Sequence, residues 1–260
     1  MREWGKVNEI IYHDTDRYTM GLSLKNDQLP EANNMALHVC NDEQSIIKNR
    51  HQLADTLNIS IEQLVCANQT HSDLFYKVTT QDCGSGALTN ATAIKNVDAL
   101  YTYEPNILLT LFHADCVPII FYHEQRKLVG VIHSGWQGTV KEITYKMFQH
   151  LINNEQCSPE GFHIHIGRAL SQDKFEVDGD VYQKFHQLGY AEPYIYFNDE
   201  TNKYHIDNQQ VVKQQCVNNG ISIEQIEIDT TCTFIDSDSF SYRQNRQCGR
   251  HMSFIMKKDI

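Results

Sequence analysis

The chain has 260 residues, 41% hydrophobic, 21% charged and 10% aromatic, a composition that suits a soluble folded protein and argues against intrinsic disorder. Its 22 Lys and Arg against 33 Asp and Glu leave a net charge of −11, which repels phosphate backbones and disfavours general nucleic-acid binding. Residues 1–11 are too polar for a signal peptide and no apolar run nears the ~18 residues of a membrane helix, so the expected location is the cytoplasm, away from membranes.

In chain order, a helix is expected over residues 44–57, where Ile46, Ile47, Leu53, Ala54 and Leu57 form one apolar face. β-Branched and aromatic runs predict strands at 64–68 and 74–78, followed by a loop at 81–92 rich in Gly, Ser, Thr and Asn. Three further strands are expected at 107–112, 117–122 and 128–132, then a helix at 140–152. A strand at 162–166, helices at 179–188 and 208–219, and strands at 224–228 and 253–256 complete the chain. Strands arriving in runs with helices between them predict an α+β fold with mixed sheets. No repeat or Pro/Gly-rich linker divides the sequence, so residues 1–260 read as a single domain. Eight cysteines lie far apart without a Cys-x-x-Cys pair, and each defaults to a free thiol.

Three segments place reactive side chains beside turn chemistry at strand ends: Asn68-Gln-Thr-His71-Ser-Asp, His113-Ala-Asp-Cys116-Val-Pro118, and Val131-Ile-His133-Ser-Gly135-Trp-Gln-Gly138. A rigid strand ending in a loop fixes a side chain while leaving room for a ligand. The strands at 107–112, 117–122 and 128–132 are expected to be neighbours in one sheet, which would bring Cys116 and His133 together; His71 must arrive from elsewhere. Two imidazoles and a thiolate suit Zn²⁺, and three protein ligands leave a fourth position open, as in catalytic sites. Asp115 is a candidate to orient a ligand histidine or carry a proton. On spacing alone His113 remains a rival ligand, and a buried free thiol or a satisfied core histidine would explain each residue equally simply.

Other features carry weaker chemistry. The Gly135–Gly138 turn opening a helix suits a phosphate or merely a tight turn. Arg243, Arg246 and Arg250 could grip an anion or form surface ion pairs. His163 and His165 share a strand face, and Phe75, Tyr76 and Trp136 could stack on a flat ring or pack in the core.

Together, Gln69-Thr-His71-Ser, Val97-Asp98-Ala-Leu-Tyr-Thr102, Ala114-Asp-Cys116-Val-Pro118, His133-Ser-Gly-Trp-Gln-Gly-Thr139, Cys232-Thr233, Phe240-Ser-Tyr-Arg243 and Gly249-Arg250 resemble, in order, the motifs of the YfiH-like family. That family is variously called laccase-domain, multicopper polyphenol oxidase or purine nucleoside phosphorylase. The resemblance spans roughly residues 64–256. It implies an α+β fold with mixed sheets sandwiched between helices (α/β/β/α), and zinc on His71, Cys116 and His133. It further implies phosphorolysis of adenosine, inosine and 5′-methylthioadenosine with phosphate, plus adenosine deamination. Arg250 and Arg243 are the candidates for the phosphate. Two positions depart from the pattern: Gly167 is followed by Arg168-Ala-Leu instead of Pro and a small residue, and the arginine pair is reduced to Arg243-Gln244.

Three other readings use the same residues. A cysteine hydrolase would take Cys116 as nucleophile and a histidine as base, without metal. A copper-dependent polyphenol oxidase would load copper on the His₂Cys set. A metal-stabilised binding protein would show no turnover. A monomer or a homodimer is compatible with all of them.

Overall fold

Strands of nearly continuous Leu, Ile, Val and Phe need cover on both faces, and this sets the architecture. In the computed structural model, which describes residues 8–259, the strands Leu108–His113, Val117–His123 and Leu128–Ser134 are buried at nearly every position. Residues 1–7, most of the segment read for a leader, lie outside the described residues, as does Ile260.

Two large sheets result. The first runs Glu9–Asp14, Tyr18–Ser23, His251–Lys257, Leu108–His113 and Leu64–Val65. The second runs Ile226–Ile228, Phe162–Ile166, Val117–His123, Leu128–Ser134, Ala99–Thr102 and Phe75–Lys77. Leu64–Val65, Phe75–Lys77 and Ile226–Ile228 pair in parallel at three of the edges, and the remaining pairings are antiparallel.

Strand alternation distributes the core. Leu109, Leu111 and Ile255 of the first sheet meet Ile120, Val129 and Val131 of the second. On the opposite side of the same strands, Leu108, Phe112 and Phe254 pack with Leu53 and Ala54 of the helix Glu43–Thr56. Ile119 and Phe121 pack with Ile143, Met147 and Phe148 of the helix Ile143–Asn153, and with Val212 and Cys216 of the helix Asn208–Val217. A small sheet, Glu176–Val177, Lys203–Ile206 and Ile195–Asn198, is backed by Phe185 of the helix Gly179–His186. The fold is mixed α+β, as the spacing of elements predicts. Among the described residues, no helix is long and apolar enough to cross a membrane.

The structure departs from several expectations. The strand Leu108–His113 does not share a sheet with Val117–His123 and Leu128–Ser134; the chain leaves the first sheet at His113 and joins the second at Val117. Asp115, with φ of 82°, makes that crossing. The run at 64–68 splits between Leu64–Val65, on the first sheet, and Ala67–Asn68, which pairs with Ile94–Lys95. The helix expected at 140–152 is broken at Glu142, whose φ of 62° separates Trp136–Val140 from Ile143–Asn153. Strands Glu9–Asp14, Tyr18–Ser23, Ala99–Thr102, Ile195–Asn198 and Lys203–Ile206 lie where no strand is expected. All eight cysteines are free thiols.

Candidate metal centre

The antiparallel register of the second sheet builds half of the site. His133 lies opposite Pro118 and Ser134 opposite Val117, so Cys116, just before its strand, meets His133 near the end of the neighbouring one. His71 comes from the turn after Asn68 and adopts a left-handed φ of 55°. Its Nε2 lies 3.9 Å from Cys116 Sγ, and its ring stands edge-on to His133 with centroids 5.0 Å apart. One ligand atom from each of His71, Cys116 and His133 lies within 4.8 Å of the others. Nitrogen, nitrogen and sulfur at this spacing fit a single tetrahedral ion of the zinc type.

Asp98 holds this arrangement together. Its Oδ1 accepts from His133 Nδ1 at 2.9 Å and from the His71 backbone N–H at 3.1 Å. Its Oδ2 accepts from the backbone N–H groups of Thr70 and Ser72 at 3.1 and 2.7 Å, and from Ser72 Oγ at 2.7 Å. The carboxylate therefore fixes the His71 turn and leaves His133 Nε2 as the ligand atom, the carboxylate–histidine pairing of metal sites. Burial disfavours its charge, but the His133 and Ser72 hydrogen bonds outweigh this and hold it down at about 2.

The bare ligands are electrostatically coupled. Burial opposes ionisation of Cys116, yet the charge and hydrogen bonds of His133 and His71 bring the thiol down to about 6. Burial likewise opposes the His133 imidazolium, while Cys116 and Asp98 raise it to about 9. A thiolate facing an imidazolium is poised to exchange that proton for a cation. Gly135 closes the cradle: a Cβ there would stand 2.7 Å from His71 Cδ2 and 2.9 Å from Cys116 Sγ. Only glycine leaves the ligands that space.

A pocket of about 490 Å³ opens on the site. His71, Cys116, Trp136, Glu176, Asp178, Arg243 and Arg246 line it. The Arg243 backbone N–H donates to Asp115 Oδ2 at 2.6 Å, and its Nη1 donates to Lys174 O and Glu176 O at 3.2 and 3.1 Å. Arg246 has no hydrogen bond or ion pair among the described residues and stands exposed at the rim.

Residues 19–258 match the family model described as multi-copper polyphenol oxidoreductase laccase. The chain belongs to this family. Among relatives of this laccase family, a Bacillus subtilis protein named purine nucleoside phosphorylase YlmD is 33% identical over all of this chain and 94% of its own. A purine nucleoside phosphorylase of Staphylococcus saprophyticus is 35% identical, over 91% of this chain and 90% of its own. The solved structure of Bacillus licheniformis YfiH covers 98% of both chains with a TM-score of 0.92 at 35% identity. That of YlmD from Geobacillus stearothermophilus covers 96% of this chain and 100% of its own, with a TM-score of 0.88 at 30% identity.

Within this laccase-family fold the remaining expected residues separate clearly. His113 is buried, bonded through Nε2 to Ser253 Oγ at 2.8 Å, and lies outside the metal group. Asp115 orients no histidine; its carboxylate takes Thr233 Oγ1 at 2.7 Å as well as the Arg243 N–H. Asp98, just before the short strand Ala99–Thr102, fills that role. Arg250 does not line the pocket and donates to the backbone oxygens of Cys248 and Gly249. Arg168 is buried between Asp229 and Asp236, at 3.4 and 2.9 Å, a structural ion pair that accounts for its place after Gly167. His163 stacks on Tyr122 and His165 packs on Tyr12, so the pair builds no second metal group among the described residues. Of the three aromatics, Trp136 lines the pocket, while Phe75 joins the core and Tyr76 bonds Asp82. The helix opened by Gly135 is only five residues, Trp136–Val140.

Proposed function

We propose that this chain, acting as one catalytic domain, is a cytoplasmic purine nucleoside phosphorylase for adenosine, inosine and 5′-methylthioadenosine, with adenosine deamination in the same pocket. The observation that carries the reading is one pocket that joins His71 and Cys116 of the candidate metal group to Trp136 and two arginines. The names of the full-length relatives support the same chemistry.

Zinc held by His71, Cys116 and His133 would supply a Lewis acid beside the substrate. In phosphorolysis a phosphate oxygen bonds to ribose C1′ as the bond from C1′ to the purine nitrogen breaks, and the departing base takes a proton. Arg243 and Arg246 would meet the phosphate charge; Arg246, whose side chain has no partner among the described residues, would neutralise most of it. Asp115 serves as a positioning residue, since its bond to the Arg243 N–H sets that arginine at the rim. The Trp136 ring offers a face to the purine. Glu176 and Asp178, which line the same pocket beside His205 and Lys203, would accept hydrogen bonds from ribose hydroxyls.

Purified protein given inosine should release hypoxanthine only when phosphate is present, with ribose 1-phosphate as the second product. Arg246→Ala should raise the KM for phosphate by about tenfold, the loss of one charge-assisted contact. Base release without phosphate contradicts the assignment. Chelation separates it from the cysteine hydrolase, which would be indifferent to metal. The family description names copper, which a His₂Cys set also accepts; turnover of a phenol by copper-loaded protein and none of inosine would favour that reading instead.

A further inference from the structure

At the opposite end of the sheet pair lies a second pocket, of about 290 Å³. It is lined by Arg17, Tyr18, Pro105, Lys127, Lys257, Lys258 and Asp259. The topology explains the gathering. Lys257 pairs with Tyr18 at the end of the first sheet, and Lys127, with φ of 52°, turns the hairpin that enters the strand Leu128–Ser134 of the second. That strand carries His133 toward its other end, so roughly 20 Å of extended chain separates the two sites. Tyr18, Ile120, Val129, Val131 and Ile255 fill the interval with apolar core.

Four cations and one carboxylate line this pocket in a chain whose net charge is −11. Lys258 is partly answered by Asp14, at 2.6 Å, and Lys257 donates to Tyr103 O. Among the described residues, the Arg17 guanidinium and the Lys127 ammonium have no hydrogen bond or ion pair. Burial disfavours the Lys257 charge and Lys127 adds to this, while the carboxylates of Glu104 and Asp259 partly offset it. Like charges held together this way repel until an anion bridges them. The arginine contributes a planar fork and the lysines contribute point charges, a combination suited to tetrahedral oxyanions.

We infer that this pocket binds a compact phosphate-bearing polyanion, at a site separate from the metal-centre pocket. Its volume suits a pyrophosphate or a sugar phosphate and is at the low end for a larger ligand. Pro105 supplies an apolar margin against which a sugar ring would lie, with the buried Tyr18 behind it.

Calorimetric titration with inorganic pyrophosphate and with ribose 5-phosphate tests this at low and moderate salt. The wild type, Arg246→Ala and the double variant Arg17→Gln/Lys127→Gln are compared. Both substituted side chains are exposed and have no partner among the described residues, so the fold of the double variant should persist; Lys127→Glu alone is the second variant. The expected result is a binding event present in wild type and Arg246→Ala, weakened tenfold or more in the double variant and in Lys127→Glu, and weakened further by salt. Pyrophosphate stronger than ribose 5-phosphate indicates that charge alone is recognised; the reverse indicates a sugar subsite. Binding that is the same in all four proteins, or abolished by Arg246→Ala alone, overturns the inference.

Discussion

At the scale of single residues, the three candidate ligands stand out in the sequence because each lies beside turn residues at a strand end. Their organiser does not. Asp98 reaches both histidine segments across the fold, through five hydrogen bonds that no local pattern announces. Asp98→Asn should leave the chain folded and lower metal affinity about 10–100-fold, the usual effect of losing a partner to a ligand histidine. Competition against a chromophoric chelator measures it, and an unchanged affinity would show that Asp98 does not position the site. Gly135→Ala should be more severe for activity than for stability, since the added methyl points at His71 and Cys116. A fully active Gly135→Ala enzyme would mean the ligands do not converge there.

His251 gives a pH prediction. The Phe240 N–H donates to its Nε2 at 2.8 Å, which leaves Nδ1 to donate to Ser23 O at 2.7 Å. Both contacts require the neutral ring, and burial lowers its pKa from 6.5 to about 3. A histidine held neutral in the folded state contributes stability that is present above about pH 6.5 and lost as pH falls toward about 3. Urea unfolding should show a slope of about 1.4 kcal/mol per pH unit from this group within that window. His251→Gln should be less stable at neutral pH but show a flatter acid limb; an unchanged slope would assign the loss to other groups.

At the scale of elements, hydrophobic periodicity located the long helices within a few residues, because their apolar faces are continuous. It failed where backbone geometry intervenes. Glu142 in a left-handed conformation ends one helix and starts another, and Lys141 beside it donates from Nζ to His71 O at 2.6 Å. The strand Tyr18–Ser23 carries Gly21 in its interior, a residue that weakens a strand pattern. Its Cβ would lie 2.4 Å from Ile10 O and 2.7 Å from Phe254, so the glycine is there for close strand packing. The loop read at 81–92 is pinned by the helix Glu43–Thr56. The fully buried Arg50 donates from Nη1 to Gly86 O and Ala87 O at 2.7 Å each, and from Nε to Met35 O at 2.8 Å. Arg50→Ala would strand these carbonyls and open a cavity, and should cost roughly 3 kcal/mol or more in urea denaturation. A loss below 1 kcal/mol would show that the loop holds itself.

At the scale of the whole molecule, the mixed α+β class followed from the order of elements, while the division of strands between sheets did not. Leu108–His113 and Val117–His123 are separated by only three residues, which reads as a hairpin. The left-handed Asp115 instead carries the chain from one sheet to the other. That crossing places Cys116 at the mouth of the sheet pair, where His71 and His133 also end, so the departure from the expected topology is what builds the pocket. Arg246, exposed among polar residues, carried no sequence signal that distinguished it from Arg243 or Arg250; only the fold puts it at the rim.

On the proposed function, His71, Cys116 and His133 hold one metal ion required for phosphorolysis. Metal content and phosphate-dependent inosine turnover, measured on the same samples of wild type and Cys116→Ala, test it directly. The wild-type chain should carry about one ion, the variant should lose the ion together with turnover, and wild-type turnover should disappear on chelation and return on adding zinc. Full phosphorolysis by metal-free protein would contradict it.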